Sequence, residues 1–187
     1  MNRHLTMEEL EVGLAEMGQS PQDKGALQMI VCRPEEDERL VLEQAELDTV
    51  EGLIGDNWRA RGSSQTEDGK AHPDAQITLM NSRIIQLLAQ DRSRWPLAGD
   101  QLYVDLDIGA DNLPPGQRIT IGTAVLEITD MPHTGCAKFT ERYGHDAIRF
   151  VNSPEGRKLR RRGLYARVLR PGTIRVGDVV TKVDIPS

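Results

Sequence analysis

Cysteine is scarce in this 187-residue chain, and the two present, Cys32 and Cys136, match no CxxC or zinc-ribbon spacing. A disulfide framework is not expected, and a reducing compartment, by default the cytoplasm, is the natural setting. Long apolar runs are missing as well. No stretch approaches the roughly 18 residues that suggest a membrane span, and the N-terminal region has no basic segment followed by an apolar one, so neither insertion nor export is expected. Positive charge is in deficit, the formal net charge being -6 at pH 7. That balance argues against a general nucleic-acid binder, which rests on a broad positive footprint. Any anion site must be local.

A chain of this length can bury about 70% of the surface its unfolded form exposes, so it needs no staple. No internal repeat, low-complexity tract or linker interrupts it, and the economical reading is one domain over residues 1–187. Thr6 and Glu9 form a capping-box pattern ahead of Leu10, Leu14 and Met17, with Gly18 as a stop, which predicts a short helix over 6–18. Strands are expected at Leu27 to Cys32 and Arg39 to Leu42, around an acidic turn at 34–37. Residues 56–73 are polar, without period, and read as a long loop.

A helix follows at 81–90, where Ile84, Ile85, Leu87 and Leu88 recur at helical spacing. Beyond it come short strands at 101–104, 118–121 and 124–129, the last two joined by a Gly122-Thr123 turn. Further β-like runs at 164–169 and 179–183 are separated by Pro171-Gly172 and Gly177-Asp178. Many short strands with Gly/Pro turns predict a mainly β protein, an antiparallel barrel with short helical additions, rather than a doubly wound sheet.

Cys136 is the most informative position. It follows the Pro132-His133-Thr134-Gly135 turn and precedes a helical segment, 137–143, that stops at Gly144. With Thr134 as the cap, the thiol would lie in the first helical turn, where unpaired N–H groups favour the thiolate that binds metals or attacks electrophiles. His133 and Lys138 would add positive potential. The alternative is an inert buried cysteine, and Cys32, within Met29-Ile30-Val31, fits that description. His133 and Cys136 also form an HxxC pair, but zinc sites normally take four ligands.

A second feature is the run of bases at 149–170, with Arg149, Arg160 and Arg162 among them, inside an acidic chain. Arginine forks suit phosphate, so the run could dock a phosphorylated cofactor. A solvated basic helix face explains it equally well. Ser153-Pro154-Glu155 is a good helix start. Gly52-Leu53-Ile54-Gly55-Asp56 and Gly109-Ala110-Asp111-Asn112-Leu113 are, alone, only turns.

Taken in order, GLIGD (52–56), GADNL (109–113), the lone Cys136 after PHTG, GLYARVL (163–169) and PGTIRVGDVV (171–180) resemble the MOSC domain, named for the C-terminal region of molybdenum cofactor sulfurases. The resemblance spans about residues 25–183. It implies a β-barrel that binds molybdenum cofactor, with Cys136 ligating the metal and with His133 and Lys138 beside it. It also implies cofactor contacts from Asp56, Asn112, Thr134, Arg149, Arg160 and Arg162. Stand-alone relatives reduce N-hydroxylated compounds, so the implied substrate is a small N–O molecule.

Each turnover needs two electrons, and the chain has neither the cysteines for an iron–sulfur cluster nor a GxGxxG signature. A separate reductase is therefore implied. The rival reading is a carrier, in which Cys136 holds sulfane sulfur as a persulfide or the domain delivers the cofactor without turnover. Pyridoxal phosphate, bound by a separate domain in the sulfurases, is not expected here. One departure stands out: where many bacterial relatives have His-Gly-Gly, this chain has His72-Pro73-Asp74. Proline removes a donor and fixes φ, so a loop–substrate contact could differ.

Overall fold

Arg118–Ile121 (β7) and Ala124–Ile128 (β8) alternate buried and outward side chains, the period of strands with one face on a core. They pair antiparallel through the turn at Gly122-Thr123. The computed structural model describes residues 3–183, and this hairpin forms part of a closed barrel. The remaining staves are Gly25–Cys32 (β1), Ile77–Asn81 (β5), Leu102–Asp105 (β6), Leu164–Arg170 (β9) and Val179–Val183 (β11).

The order β1-β6-β5-β9-β8-β7-β11 returns to β1. Only the β5–β6 pairing is parallel; the other six are antiparallel. The barrel expected from the short strands is therefore present. Leu40–Leu42 (β2) extends it beside β1. Gln44–Asp48 (β3), Gly52–Leu53 (β4) and Gly172–Arg175 (β10) form a small second sheet.

Leu27, Ile30, Leu79, Leu102, Val104, Leu126 and Ala166 belong to one apolar cluster, that of the barrel. A second core lies outside it, because β1, β5 and β6 also turn Met29, Val31, Met80 and Tyr103 outward. Helices cover that face: Met7–Met17 (α1), Ser82–Ala89 (α3), Ala137–Tyr143 (α4) and His145–Asn152 (α5). Trp58–Arg61 (α2) and Pro154–Lys158 (α6) are single turns at its margins.

Local signals set several boundaries. The capping box at Thr6 forms as expected, and Gly18 ends α1 at positive φ. Asn81 caps α3 by accepting from the N–H groups of Arg83 and Ile84. Gly25 is needed where β1, β6 and β11 converge, since a Cβ there would collide with the Asp105 carbonyl. Among the described residues no helix is long and apolar enough to cross a membrane.

Candidate functional site

Arg33 follows β1 directly and is buried. Its main-chain N–H and its Nε both donate to Asp56 Oδ2 at 2.9 Å, while Nη2 donates to Oδ1 at 2.8 Å and Nη1 to the Gly99 carbonyl. Asp56 also takes the Trp58 N–H, so the GLIGD turn, α2 and the end of β1 are pinned together. The carboxylate is fully enclosed.

Arg33, Arg39, Asn57, Arg61, Gly99, Cys136, Lys138, Phe139 and Arg142 surround a cavity of about 640 Å³. Cys136 stands exposed on its wall. The thiol stands two helix positions earlier than the spacing predicts: Cys136 is itself the N-cap of α4, in extended conformation, and makes no side-chain cap bond. Thr134 is not the cap. Gly135 between them is tied down instead, its N–H donating to Asn152 Oδ1 at 3.0 Å.

The five basic side chains of the cavity come from four separate segments, in contrast to the dense run expected to supply them. Arg39 donates to the carbonyls of Glu38 and Pro96, and Arg142 to that of Leu97. Burial first, and then the charges of Arg142 and Arg33, hold the Arg39 pKa below its usual value. Three cations thus crowd a space that has room for an anion. Asn57 Oδ1 adds a buried polar atom without a protein partner. Over the opening lies the acidic turn: Lys138 Nζ is 3.1 Å from Glu36 and 3.0 Å from Asp37, and Arg142 is 3.3 Å from Asp37.

Behind the wall sits a buried polar cluster. Arg162 Nη1 meets Asp100 Oδ2 at 2.6 Å, Nη2 donates to the Ala98 carbonyl, and the guanidinium lies 4.9 Å over the Phe139 ring. His133 stacks on Tyr165, ring centroids 4.4 Å apart. Its Nδ1 is 3.6 Å from Asp100 Oδ1, beyond hydrogen-bond reach, and both atoms are buried without partners. Burial, with the Arg162 and Arg33 charges behind it, pushes the His133 pKa well below the usual range. The imidazole is neutral at pH 7, so it does not supply the positive potential expected of it. Gly163, at φ +111, makes the packing possible, for a Cβ would strike the Leu79 carbonyl and crowd His133 Nδ1.

The other expected residues are placed elsewhere. Arg160 has a positive φ of 49° and spends its guanidinium on the carbonyls of Ile108 and Leu113. Asn112 bonds the carbonyls of Gln22 and Asp107 and accepts from Lys182, as a brace between loops. Arg149 is exposed on α5 and pairs with Asp146. None of these three lines the Cys136 cavity. Arginine density in sequence marked a structural knot, while Arg33, Arg39, Arg61 and Arg142 converge from afar and were missed. The signal that could have found one of them is an arginine immediately after a strand, opposite the aspartate of GLIGD.

A MOSC domain family model matches residues 66–181, more than half of the chain. The chain belongs to the MOSC domain family. No curated protein matches it in sequence. Solved structures share its fold. The YuaD protein of Bacillus subtilis is similar over 87% of this chain and 97% of its own, with a TM-score of 0.61 at 16% identity. YiiM of Escherichia coli is similar over 87% and 71%, with a TM-score of 0.56 at 15% identity. A crystal structure described as a hypothetical protein is similar over 89% and 71%, with a TM-score of 0.60 at 16% identity. In this MOSC domain no cluster of three or more His, Cys, Asp or Glu is arranged to hold a metal among the described residues. The HxxC pair accordingly lacks further zinc ligands there, and Cys136 offers a single soft sulfur.

Proposed function

We propose that this MOSC protein binds molybdenum cofactor in the Cys136 cavity and reduces small N-hydroxylated compounds there. The observation that carries the reading is the pairing of an exposed thiol with a cavity walled by Arg33, Arg39, Arg61, Lys138 and Arg142. Soft sulfur suits a thiophilic metal, and arginine forks suit the phosphate of a pterin. The unpartnered Asn57 Oδ1 and the crowded cations fit a ligand that is polar and anionic.

When bound, the cofactor would supply two-electron removal of oxygen from an N–O bond. The chain's part is to hold and exclude. Cys136, on extended backbone and free of cap bonding, would present its sulfur; Arg33 is immobilised by Asp56 and fixes one wall. Phe139 and Ala98 give the floor an apolar surface. His133, neutral and locked behind that floor, serves as packing rather than as a charged contact. Electrons would come from a separate reductase.

The test is expression in a host that makes the cofactor, followed by molybdenum and pterin assay per chain. Stoichiometric molybdenum and pterin in the native protein is expected, together with hydroxylamine reduction by the dithionite-reduced form. Cys136→Ser should fold normally, change the metal spectrum and lose activity by orders of magnitude. Cyanide-labile sulfur on Cys136 without molybdenum would instead mark a persulfide carrier, and an unaltered spectrum and rate in the serine variant would remove Cys136 from the mechanism.

A further inference from the structure

Arg61 ends α2 between two cavities. One is the Cys136 cavity; the other, of about 490 Å³, is lined by Trp58, Gly62, Ser63, Ser64, Gln65, Gly69, His72, Ala75, Met131 and Tyr165 as well as Arg61. In a chain with an excess of acids, no aspartate or glutamate lines this second space. Its polar lining comes instead from Arg61, His72, Tyr165 and the Ser63-Ser64-Gln65 stretch. His72 Nδ1 accepts the Asp74 N–H at 3.2 Å, so the neutral ring carries its proton on Nε2. The Tyr165 hydroxyl and the Arg61 guanidinium bond no other described residue. Every other basic side chain of the Cys136 cavity already has an anionic or carbonyl partner.

The recess is built by residues that the long polar loop brings back on itself. Gly62 and Gly69 both adopt positive φ, and a Cβ on Gly62 would collide with the Gly69 carbonyl. Ser63 N–H donates to that carbonyl, and the Thr66 hydroxyl bridges the carbonyls of Ser63 and Lys70. The His72-Pro73-Asp74 sequence makes a 3-10 turn that His72 caps. Proline thus fixes φ at the first position of this turn. Trp58, buried at 6% exposure, together with Met131 and Tyr165 supplies flat and polarisable surface beside the donors.

We propose that this second cavity binds a small organic oxyanion, a carboxylate or phosphate monoester carried on a planar ring, with Arg61 pairing its charge and Trp58, Met131 and Tyr165 holding its ring. The chemistry follows from the wall: an arginine with no carboxylate in the lining selects an anion and can pair it bidentately, and an apolar side holds the carbon skeleton. Because Arg61 belongs to both spaces, the bound molecule would reach toward Cys136. That it is also the compound reduced there rests on the function proposed above; the binding does not.

Calorimetric titration of the full-length protein with benzoate, phenyl phosphate, inorganic phosphate and benzamide tests this without turnover. At least one aromatic anion should bind tenfold or more tighter than benzamide and than inorganic phosphate. Benzoate ahead of phenyl phosphate would identify a carboxylate site, and the reverse order a phosphate site. Arg61→Gln should weaken the preferred anion at least tenfold at unchanged thermal midpoint, and Arg61→Lys should restore part of the loss. Tyr165→Phe, which alters only the second cavity, should weaken binding severalfold, and Lys138→Gln should leave it unchanged. Equal binding of benzamide, equal binding of inorganic phosphate, full affinity in Arg61→Gln or a response to Lys138→Gln alone would each overturn the assignment. Molybdenum and pterin content is read separately, so failure here and failure of the cofactor reading are distinguishable.

Discussion

A histidine held neutral inside a fold makes stability depend on pH. His133 has its folded pKa pushed well below 6.5 by burial and by the Arg162 and Arg33 charges. Below about pH 6.5 the unfolded chain takes up a proton that the native ring refuses, so stability falls as pH falls through that window, by at most about 1.4 kcal/mol per pH unit from this group. Replacing His133 with Phe should flatten the dependence of the unfolding midpoint on pH between about 5 and 6.5. A slope identical to wild type would mean that the native ring protonates freely. Cys32 is a simpler case, 4% exposed and within the barrel core. Cys32→Ser should cost about 1–3 kcal/mol if the hydroxyl finds no partner, measured by urea unfolding, with Cys136 reactivity unchanged.

Residue identity made Cys136 legible in the sequence, because a loop-to-helix junction is readable from turn residues and a following Gly stop. The arginines of its cavity were not legible. Counting charges along the chain registers density, whereas Arg33, Arg39, Arg61 and Arg142 are assembled by the closing of the barrel. Of the bases inside the dense run, Arg160 and Arg162 went to carbonyls and to Asp100. Both are structural in this geometry. Arg162→Ala should therefore lower stability by about 3–5 kcal/mol through the uncompensated Asp100 carboxylate, a loss readable in denaturant unfolding before any ligand is added.

At the scale of elements, alternation alone did not decide which strands were readable: Gln44–Asp48 alternates and was missed, whereas Leu102–Asp105, buried over most of its length, was expected at 101–104. Arg118–Ile121 and Val179–Val183 were recovered at their full lengths. Ile77–Asn81 escaped because all five residues are buried, on two different cores, and its polar members looked like loop. Thr78 is instead satisfied internally, its N–H donating to Gln101 Oε1 at 2.9 Å. Gly172–Arg175 begins on a glycine that resembles a turn and pairs with Gln44–Asp48 only in the folded chain. The tie between β1, the GLIGD turn and α2 depends on one ion pair. Asp56→Ala should cost about 3–5 kcal/mol, since it strands Arg33 in an enclosed site. Loosening confined to α2 and the cavity rim, seen as hydrogen exchange, is the expected local signature.

For the whole molecule, closure of the barrel rests on its shortest seam. The β1–β11 pairing registers only Gly25 with Val180 and Ala26 with Val179, supplemented by bonds from Leu27 N–H to the Asp178 carbonyl and from Gly177 N–H to the Leu27 carbonyl. Opening should start there. Amides of Val179 and Val180 are expected to exchange faster than those of the β8–β9 ladder, and Gly25→Ala should widen the difference by crowding Asp105, at a cost of about 1–3 kcal/mol. Uniform protection around the barrel would contradict this account.

The acidic turn that lies on Lys138 and Arg142 carries a kinetic consequence. A cleft lined by unpaired charge of one sign can hasten capture of its substrate by about 10- to 1000-fold. Here Glu36 and Asp37 already occupy those cations, and beyond the roughly 8 Å screening length of physiological salt an incoming anion meets a surface whose net charge is negative. For the anionic ligand proposed for this cavity, capture should therefore be slow and should quicken as salt screens the repulsion, and admission should require the ligand's own contacts to displace the turn.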